Sequence, residues 1–168
     1  GGLDRLNTAG ESAPYWCDAL YEVIFHDITR MPTKESDTQQ INKKRHVGND
    51  LVQIVWCENQ KEYNPHTITS QFNDVHLVVY PLSNGLFRIQ IFHKENIPPF
   101  GPLKDGMILT KKLLGPMLRY TAINAYFKVR SEKGEYKRPF CIRMEHIKSV
   151  YQRYSSNEKS FEGYIEQM

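Results

Sequence analysis

The chain has 168 residues, a formal net charge of +3, 40% hydrophobic residues and 24% charged residues. These proportions are typical of one globular domain with a sizeable core, and a charge this small does not favour nucleic acid as the partner. No apolar run approaches the ~20 residues that a membrane helix needs, so we expect no transmembrane segment. Three cysteines without paired spacing indicate reduced thiols, and therefore a cytoplasmic protein.

The first third of the chain predicts one strand and one polar connection. Residues 1–18 are rich in Gly, Asn, Ser and Pro, which favours an irregular lead-in, and the opening Gly-Gly-Leu-Asp suggests a fragment of a longer chain. Aromatic and β-branched residues in 19–32 predict a strand that ends at Pro32. Residues 33–45 are polar and predict a loop or a short exposed helix. LVQIVWC, residues 51–57, predicts a central strand covered on both faces.

A hairpin is the clearest local prediction. VHLVVYPL, residues 75–82, and LFRIQIF, residues 86–92, flank Ser83-Asn84-Gly85, and Asn-Gly is a strong hairpin signal. Residues 93–106 contain three prolines and two glycines, and they predict a loop.

Two helices are predicted to follow. A helical pattern begins at Thr110, where Gly115-Pro116 marks an interruption or the first turn, and a second pattern covers residues 140–154. The whole order predicts an α/β fold in which helices flank a mixed central β-sheet. We expect a single domain over residues 1–168, with 156–168 as a poorly packed tail.

Motifs of self-sufficient catalysis are missing from the sequence. There is no G-x-x-x-x-G-K-[ST] phosphate loop, no G-x-S-x-G elbow and no concentration of paired carboxylates. The six histidines are scattered without a ligand pair, so no metal site is predicted. These observations favour a binding module over an enzyme that carries out its own bond chemistry.

KKRHVGND, residues 43–50, is the most unusual stretch. From the residues alone it can be a solvated basic turn, in which Asn49 or Asp50 caps the backbone, or a short patch for polyphosphate or nuclear import. A nucleic-acid-binding domain that uses the basic run is a further alternative, and it predicts affinity that falls steeply with salt.

Several stretches resemble, in order, the Rap/Ran-GAP superfamily, the GTPase-activating domains of tuberin, the Rap GAPs and the Ral GAP alpha subunits. The resemblance covers residues 1–127, and residues 131–168 match only loosely. The stretches that carry it are GGLDRLNTAGESAPYW, EVIFHDITRMP, RHVGNDLVQIVW, QFNDVHLVVYPL and IPPFGPLKDG.

The resemblance implies a GTPase activator that is not itself an enzyme and supplies a catalytic Asn in trans. In this family an Asn "thumb" enters the nucleotide site of a Ras-like GTPase and orients the attacking water, and here it falls on Asn49. A carboxamide can both accept from the water and donate to a phosphate oxygen, whereas an ionised Asp has no donor. No cofactor of its own is implied, because GTP and Mg²⁺ are carried by the GTPase.

Neighbouring residues take supporting roles by the same resemblance. His46 is implied to brace the catalytic segment or to touch the GTPase, and Lys44 and Arg45 to pair with acidic switch residues. Gly48 is implied to allow close backbone approach, and Asp50 to contact the GTPase or to cap the turn. Arg45 as an arginine finger is a competing hypothesis.

The partner is expected to be a small GTPase of the Ral type first, with Rheb-like and Rap-like proteins as alternatives. The resemblance also implies a large regulatory partner subunit in the full-length protein. The alternative function is a GAP-like domain that binds a GTPase or a scaffold without catalysing.

Overall fold

The structure is a computed structural model that describes residues 8–33, 35–59, 61–68, 70–134, 136–137 and 139–154. The chain divides into two compact units, residues 1–129 and residues 130–168. The tail predicted for 156–168 lies outside the described residues.

Strands dominate the first unit, and the boundary between the two units falls within one long helix. The elements in chain order are β1 (Tyr15–Cys17), β2 (Glu22–Ile24), α1 (Ile41–Gly48), β3 (Val52–Trp56), β4 (Val75–Pro81), β5 (Phe87–His93), β6 (Ile108–Leu109), α2 (Lys111–Glu132) and α3 (Pro139–Tyr154), with short 3₁₀ helices at Ile28–Arg30 and Pro65–Thr67. The predicted α/β class with a mixed sheet is confirmed.

The main sheet has the order β3-β4-β5-β6, and β1 pairs with β2 in a separate antiparallel ribbon. β3 and β4 run parallel, with Val52 opposite Val75, while the β4–β5 pair is antiparallel. The predicted hairpin is confirmed. Gly85 has a φ of 78°, which a glycine adopts without strain, and the Leu82 N–H donates to the Leu86 carbonyl at 2.8 Å.

Alternate side chains of β4 lie on opposite faces of the sheet. Val75 and Leu77 are fully buried and cluster with Ala125 and Val129 of α2. Val78 and Tyr80 belong to a cluster on the opposite face, with Cys57. A side chain as buried as Leu77 contributes about 1.5–3 kcal/mol, so β4 is the centre of the core.

Two strand predictions need correction. β3 is not central: it ends the described sheet, and Ile54 and Trp56 are 41% and 54% exposed. The strand predicted over 19–32 is only the three-residue β2, because its pairing partner β1 is itself only three residues long. β1 lies within the lead-in that was predicted to be irregular.

Both predicted helices are present as α2 and α3. α2 begins at Lys111 and continues through Gly115-Pro116, so the predicted interruption is wrong. Proline removes one main-chain hydrogen bond from a helix, and burial of Leu114, Thr121 and Ala125 holds α2 together across that point.

Candidate functional site

Within KKRHVGND, residues 43–48 belong to a helix, and Asn49 and Asp50 follow its end. α1 spans Ile41–Gly48 and includes Lys43, Lys44, Arg45 and His46. The Asp37 carboxylate accepts from the backbone N–H groups of Ile41 and Asn42 at 2.8 and 2.9 Å, which satisfies free donors of the first turn. The same two bonds lower the pKa of Asp37. The interpretation of residues 43–48 as a turn is therefore wrong, although Lys44 and Arg45 are exposed to solvent as it required.

Asn49 lies at the C-terminal end of α1. Its backbone has φ −92° and ψ −8°, and its N–H donates to the His46 carbonyl at 3.2 Å. The side chain is exposed, and no described residue forms a hydrogen bond with its carboxamide. The donors and the acceptor of Asn49 are thus open to an outside group.

The backbone around Asn49 is held by a second carboxamide. Asn73 Nδ2 lies 3.0 Å from the Val47 carbonyl, 3.4 Å from the Gly48 carbonyl and 2.6 Å from the Asp50 carbonyl. The last carbonyls of a helix have no partner within the helix, and the bonds from Asn73 add to those that other groups make there, such as the bond from the Asp50 N–H to the Val47 carbonyl at 3.2 Å.

Two more side chains donate to the same end of α1. Gln53 Nε2 donates to the Val47 carbonyl at 3.0 Å, and the Ser70 hydroxyl donates to the Gly48 carbonyl. Gln53 is only 8% exposed. Polar groups buried this deeply are costly unless they are bonded, so the contacts fix the end of the helix against β3 and the segment before β4.

The segment before β4 is itself anchored. Lys94 Nζ lies 2.5 Å from the Asp74 carboxylate and donates to the Gln71 carbonyl at 2.7 Å. The Asp74 N–H donates to the Leu51 carbonyl at 3.0 Å. Asp74 is 2% exposed, and an ion pair at a site this buried joins the segment to β5.

A histidine pair flanks the other side of Asn49. Nδ1 of His26 lies 2.9 Å from an Asp50 carboxylate oxygen, and no backbone N–H of the described residues donates to this carboxylate, so the turn cap that was one prediction for Asp50 is not formed among them. The ring of His46 lies 5.8 Å from that of His26, centre to centre, and His46 Nε2 lies 2.9 Å from the Thr8 hydroxyl. His46 therefore braces α1 against the segment that includes Thr8.

The remaining predicted residues lie on α1. Lys44 and Arg45 are exposed, as expected of docking residues. Gly48 is buried, and a Cβ built on it would meet the nearest atom, Ser70 Cβ, at 3.9 Å, an ordinary contact. Within the structure, then, the position tolerates a methyl group. Beside the helix, Ile28 and Lys43 help to line a groove of about 370 Å³.

Within the described ranges, no group of three or more His, Cys, Asp or Glu side chains could hold a metal ion. No helix in that part of the chain is long and apolar enough to cross a membrane.

The site is thus an exposed carboxamide on a braced helix end, beside an exposed basic surface. The family profile described as Rap/ran-GAP matches residues 1–149. The chain belongs to the Rap/ran-GAP family. The matched residues include all of the bracing contacts around Asn49.

Relatives within the Rap/ran-GAP family include proteins named as Ral GTPase-activating protein subunits. The chain is 42% identical to subunit alpha-1 of Rattus norvegicus over 154 residues, 92% of this chain and 8% of that protein. It is 46% identical to subunit alpha-2 of Mus musculus over 125 residues, 74% of this chain and 7% of that protein. The chain thus spans less than a tenth of the length of these relatives.

A solved structure of the TSC2 GAP domain superposes with a TM-score of 0.65. It is 35% identical to this Rap/ran-GAP domain, and the match covers 74% of this chain and 69% of that chain. The likeness extends from sequence to fold.

The structure adds three functional candidates that the sequence reasoning did not single out: Gln53, Asn73 and His26. Asn73 and His26 lie in the stretches QFNDVHLVVYPL and EVIFHDITRMP, which carried the family resemblance. Gln53 was visible as the polar residue in an otherwise apolar strand. A polar residue at a buried position is a signal that some group needs its hydrogen bonds.

Proposed function

We propose that this domain stimulates GTP hydrolysis by a Ras-type small GTPase, and that Asn49 is the group it supplies. One observation carries the proposal. An exposed carboxamide that bonds to no described residue stands on a backbone held by three buried or half-buried side chains. Family membership supports the activity, and the names of the relatives support a GTPase as the partner.

The chemistry asked of Asn49 is modest and suits its side chain. Hydrolysis of GTP needs a water molecule in line with the γ-phosphate and stabilisation of the charge that spreads over the phosphate oxygens. The carboxamide oxygen accepts a hydrogen bond from that water, and its NH₂ group donates to a phosphate oxygen or to a glutamine of the GTPase. Because the backbone of Asn49 is already held in place, little conformational entropy of this segment is lost when the GTPase binds.

Basic residues of α1 serve the docking step. Lys44 and Arg45 are exposed on the helix that ends at Asn49, so an acidic segment of the GTPase would meet them as Asn49 enters the nucleotide site. Such charges mainly raise the association rate. GTP and Mg²⁺ belong to the GTPase, and this domain contributes no cofactor.

A Ral-type GTPase is the first substrate we propose, with Rheb-like and Rap-like proteins as the other members of a test panel. The names of the relatives support this order. We also propose that the full-length protein works with a large partner subunit, as the family resemblance implies.

The test is single-turnover GTP hydrolysis by a Ral, a Rheb and a Rap protein, with the wild-type domain and with Asn49→Ala. We expect one GTPase to be accelerated by about 10³ to 10⁵, the scale known for activators that complete a site in trans. We expect Asn49→Ala to lose that acceleration and still bind. A substitution that leaves hydrolysis unchanged would show that Asn49 is not the catalytic group, and binding without acceleration by the wild type would indicate a non-catalytic module.

A further inference from the structure

We infer that Asn73 is a positioning residue for Asn49, acting through the backbone carbonyls on both sides of it. The inference rests on the proposed function, because it gives Asn49 the catalytic role. Nothing in the inference requires Asn73 to touch the GTPase.

One amide group reaches both sides of Asn49. Asn73 Nδ2 lies 3.0 and 3.4 Å from the carbonyls of Val47 and Gly48, which precede Asn49, and 2.6 Å from the carbonyl of Asp50, which follows it. The direction of the Asn49 side chain depends on the peptide planes before and after it. Asn73 reaches the plane before Asn49 through the Gly48 carbonyl. Its shorter contacts, to the Val47 and Asp50 carbonyls, hold the next plane outward on each side, so the backbone segment that carries Asn49 is restricted from both ends.

The burial of Asn73 shows which of its atoms matter. The residue is 7% exposed, and its Oδ1 is buried without a hydrogen-bond partner in the described part of the chain. A buried acceptor left without a partner lowers stability, so the bonds of the NH₂ group have to offset this cost. The hydrogen bonds of its NH₂ group to three carbonyls explain why a carboxamide occupies this buried position.

Asn73 is also well placed to transmit the geometry of the sheet. The next residue, Asp74, forms an ion pair with Lys94, the residue that follows β5, and its N–H donates to the carbonyl of Leu51, the residue before β3. Asn73 therefore links the end of α1 to the segment that is anchored beside β3 and β5. A shift of a catalytic group by about 1 Å can lower the rate by about 10²-fold, so a backbone that holds Asn49 in place matters for the proposed function.

The test compares Asn73→Asp and Asn73→Ser with a matched control, Thr121→Val. Asp keeps the shape of Asn, removes the NH₂ donors and adds a buried negative charge beside three carbonyls, whereas Ser keeps a single donor and adds no charge. Thr121 is fully buried in α2, where its hydroxyl accepts from the Leu103 N–H at 3.0 Å and donates to the Met117 carbonyl at 2.7 Å. The control therefore loses both hydrogen bonds of a buried side chain in an element other than α1.

Single-turnover hydrolysis is measured with the GTPase that responds in the panel, over a series of domain concentrations. The folded fraction of each variant is taken from urea unfolding. We expect Asn73→Asp to lower the maximal rate per folded molecule by about 10- to 100-fold, with Asn73→Ser in between. The concentration for half-maximal rate should stay within about threefold, because the docking surface is unchanged. Thr121→Val should alter neither quantity once the folded fraction is counted.

The inference is overturned if the maximal rate of folded Asn73→Asp stays within about twofold of wild type, or if only the half-maximal concentration changes. If Asn73→Asp does not fold, the maximal rate of Asn73→Ser decides in the same way. The two proposals fail differently. Full activity in Asn49→Ala overturns both, whereas loss of activity in Asn49→Ala together with full activity in the Asn73 variants overturns the positioning role alone.

Discussion

His26 and Asp50 join two distant segments at the edge of the site. The pair is separated by 24 residues in sequence, and Nδ1 of His26 lies 2.9 Å from the Asp50 carboxylate. Both side chains are partly buried, with 24% and 35% of their surface exposed. Asp50 follows Asn49 directly, so the segment after β2 helps to hold the backbone that follows Asn49.

Removal of this pair should cost stability in a coupled way. We expect His26→Ala and Asp50→Ala each to lower the free energy of unfolding by about 1 kcal/mol, and the double variant to lose less than the sum by about 0.5–1 kcal/mol. Urea unfolding of the four proteins measures the coupling. Strict additivity would mean that the contact contributes nothing. If Asp50 also contacts the GTPase, Asp50→Ala will raise the half-maximal concentration more than His26→Ala does.

Substitution of Asn49 should separate stability from activity. The side chain is exposed and bonds to no described residue, so Asn49→Ala and Asn49→Asp should change the free energy of unfolding by no more than about 0.5 kcal/mol. Asp has the same shape as Asn and no donor, and we expect it to lose stimulation as fully as Ala. Activity in Asn49→Asp close to wild type would show that the NH₂ group has no part in the reaction.

Gly48→Ala tests whether the glycine serves the fold or the partner. An added Cβ would make only an ordinary contact with Ser70, and Ala is favoured over Gly in helices by about 0.5–1 kcal/mol. We therefore expect unchanged or higher stability in thermal unfolding. If close approach to the GTPase requires Gly48, the concentration for half-maximal stimulation will rise. An unchanged concentration would remove Gly48 from the docking surface.

Charge reversal on α1 should affect association more than chemistry. Lys44→Glu and Arg45→Glu change exposed side chains, so stability should be nearly unaffected. We expect a lower association rate and a weaker dependence of that rate on salt, with the maximal hydrolysis rate retained. The matched control is Lys112→Glu on the exposed part of α2. An arginine-finger role for Arg45 predicts the opposite pattern, in which Arg45→Glu abolishes the maximal rate.

Burial of His76 should make stability depend on pH. His76 is 6% exposed, and burial, with a smaller effect of the nearby His66, lowers its pKa. Between the lowered folded value and the unfolded value of about 6.5, the unfolded chain binds more protons, so stability falls as pH falls through this window. The slope of this contribution is at most about 1.4 kcal/mol per pH unit. We expect His76→Gln to reduce the slope in urea unfolding at pH 5 to 8, and an identical slope in both proteins would contradict the assignment.

Local rules predicted the elements whose cause is local. The β4–β5 hairpin follows from Asn84-Gly85, since only a few residues accept the positive φ found at Gly85. The apolar run before Cys57 did predict a strand. It did not reveal that Ile54 and Trp56 are exposed, because an apolar pattern does not tell which faces are covered.

The candidate site was only half accessible from the sequence. A short exposed helix was one of two predictions for residues 33–45, and no apolar face placed it at Ile41–Gly48. The position of α1 depends on the Asp37 cap and on the contacts at its end. The family resemblance indicated Asn49. The bracing by Asn73, at a separation of 26 residues from Val47, depends on the path of the chain through the sheet, which no local pattern encodes.

The parallel pairing of β3 and β4 has a practical consequence for engineering. Two parallel neighbouring strands need a connection that returns the chain to the end of the sheet where the first strand began. For β3 and β4 this is the end that lies next to the C-terminus of α1. Ser70 and Asn73 lie at this end of the sheet because β4 runs parallel to β3, and not because the connection between the two strands has a particular length. The outer part of this connection, at residues 58–62, is exposed wherever it is described. A fluorescent or affinity tag inserted there would report on the domain without moving the residues that hold Asn49.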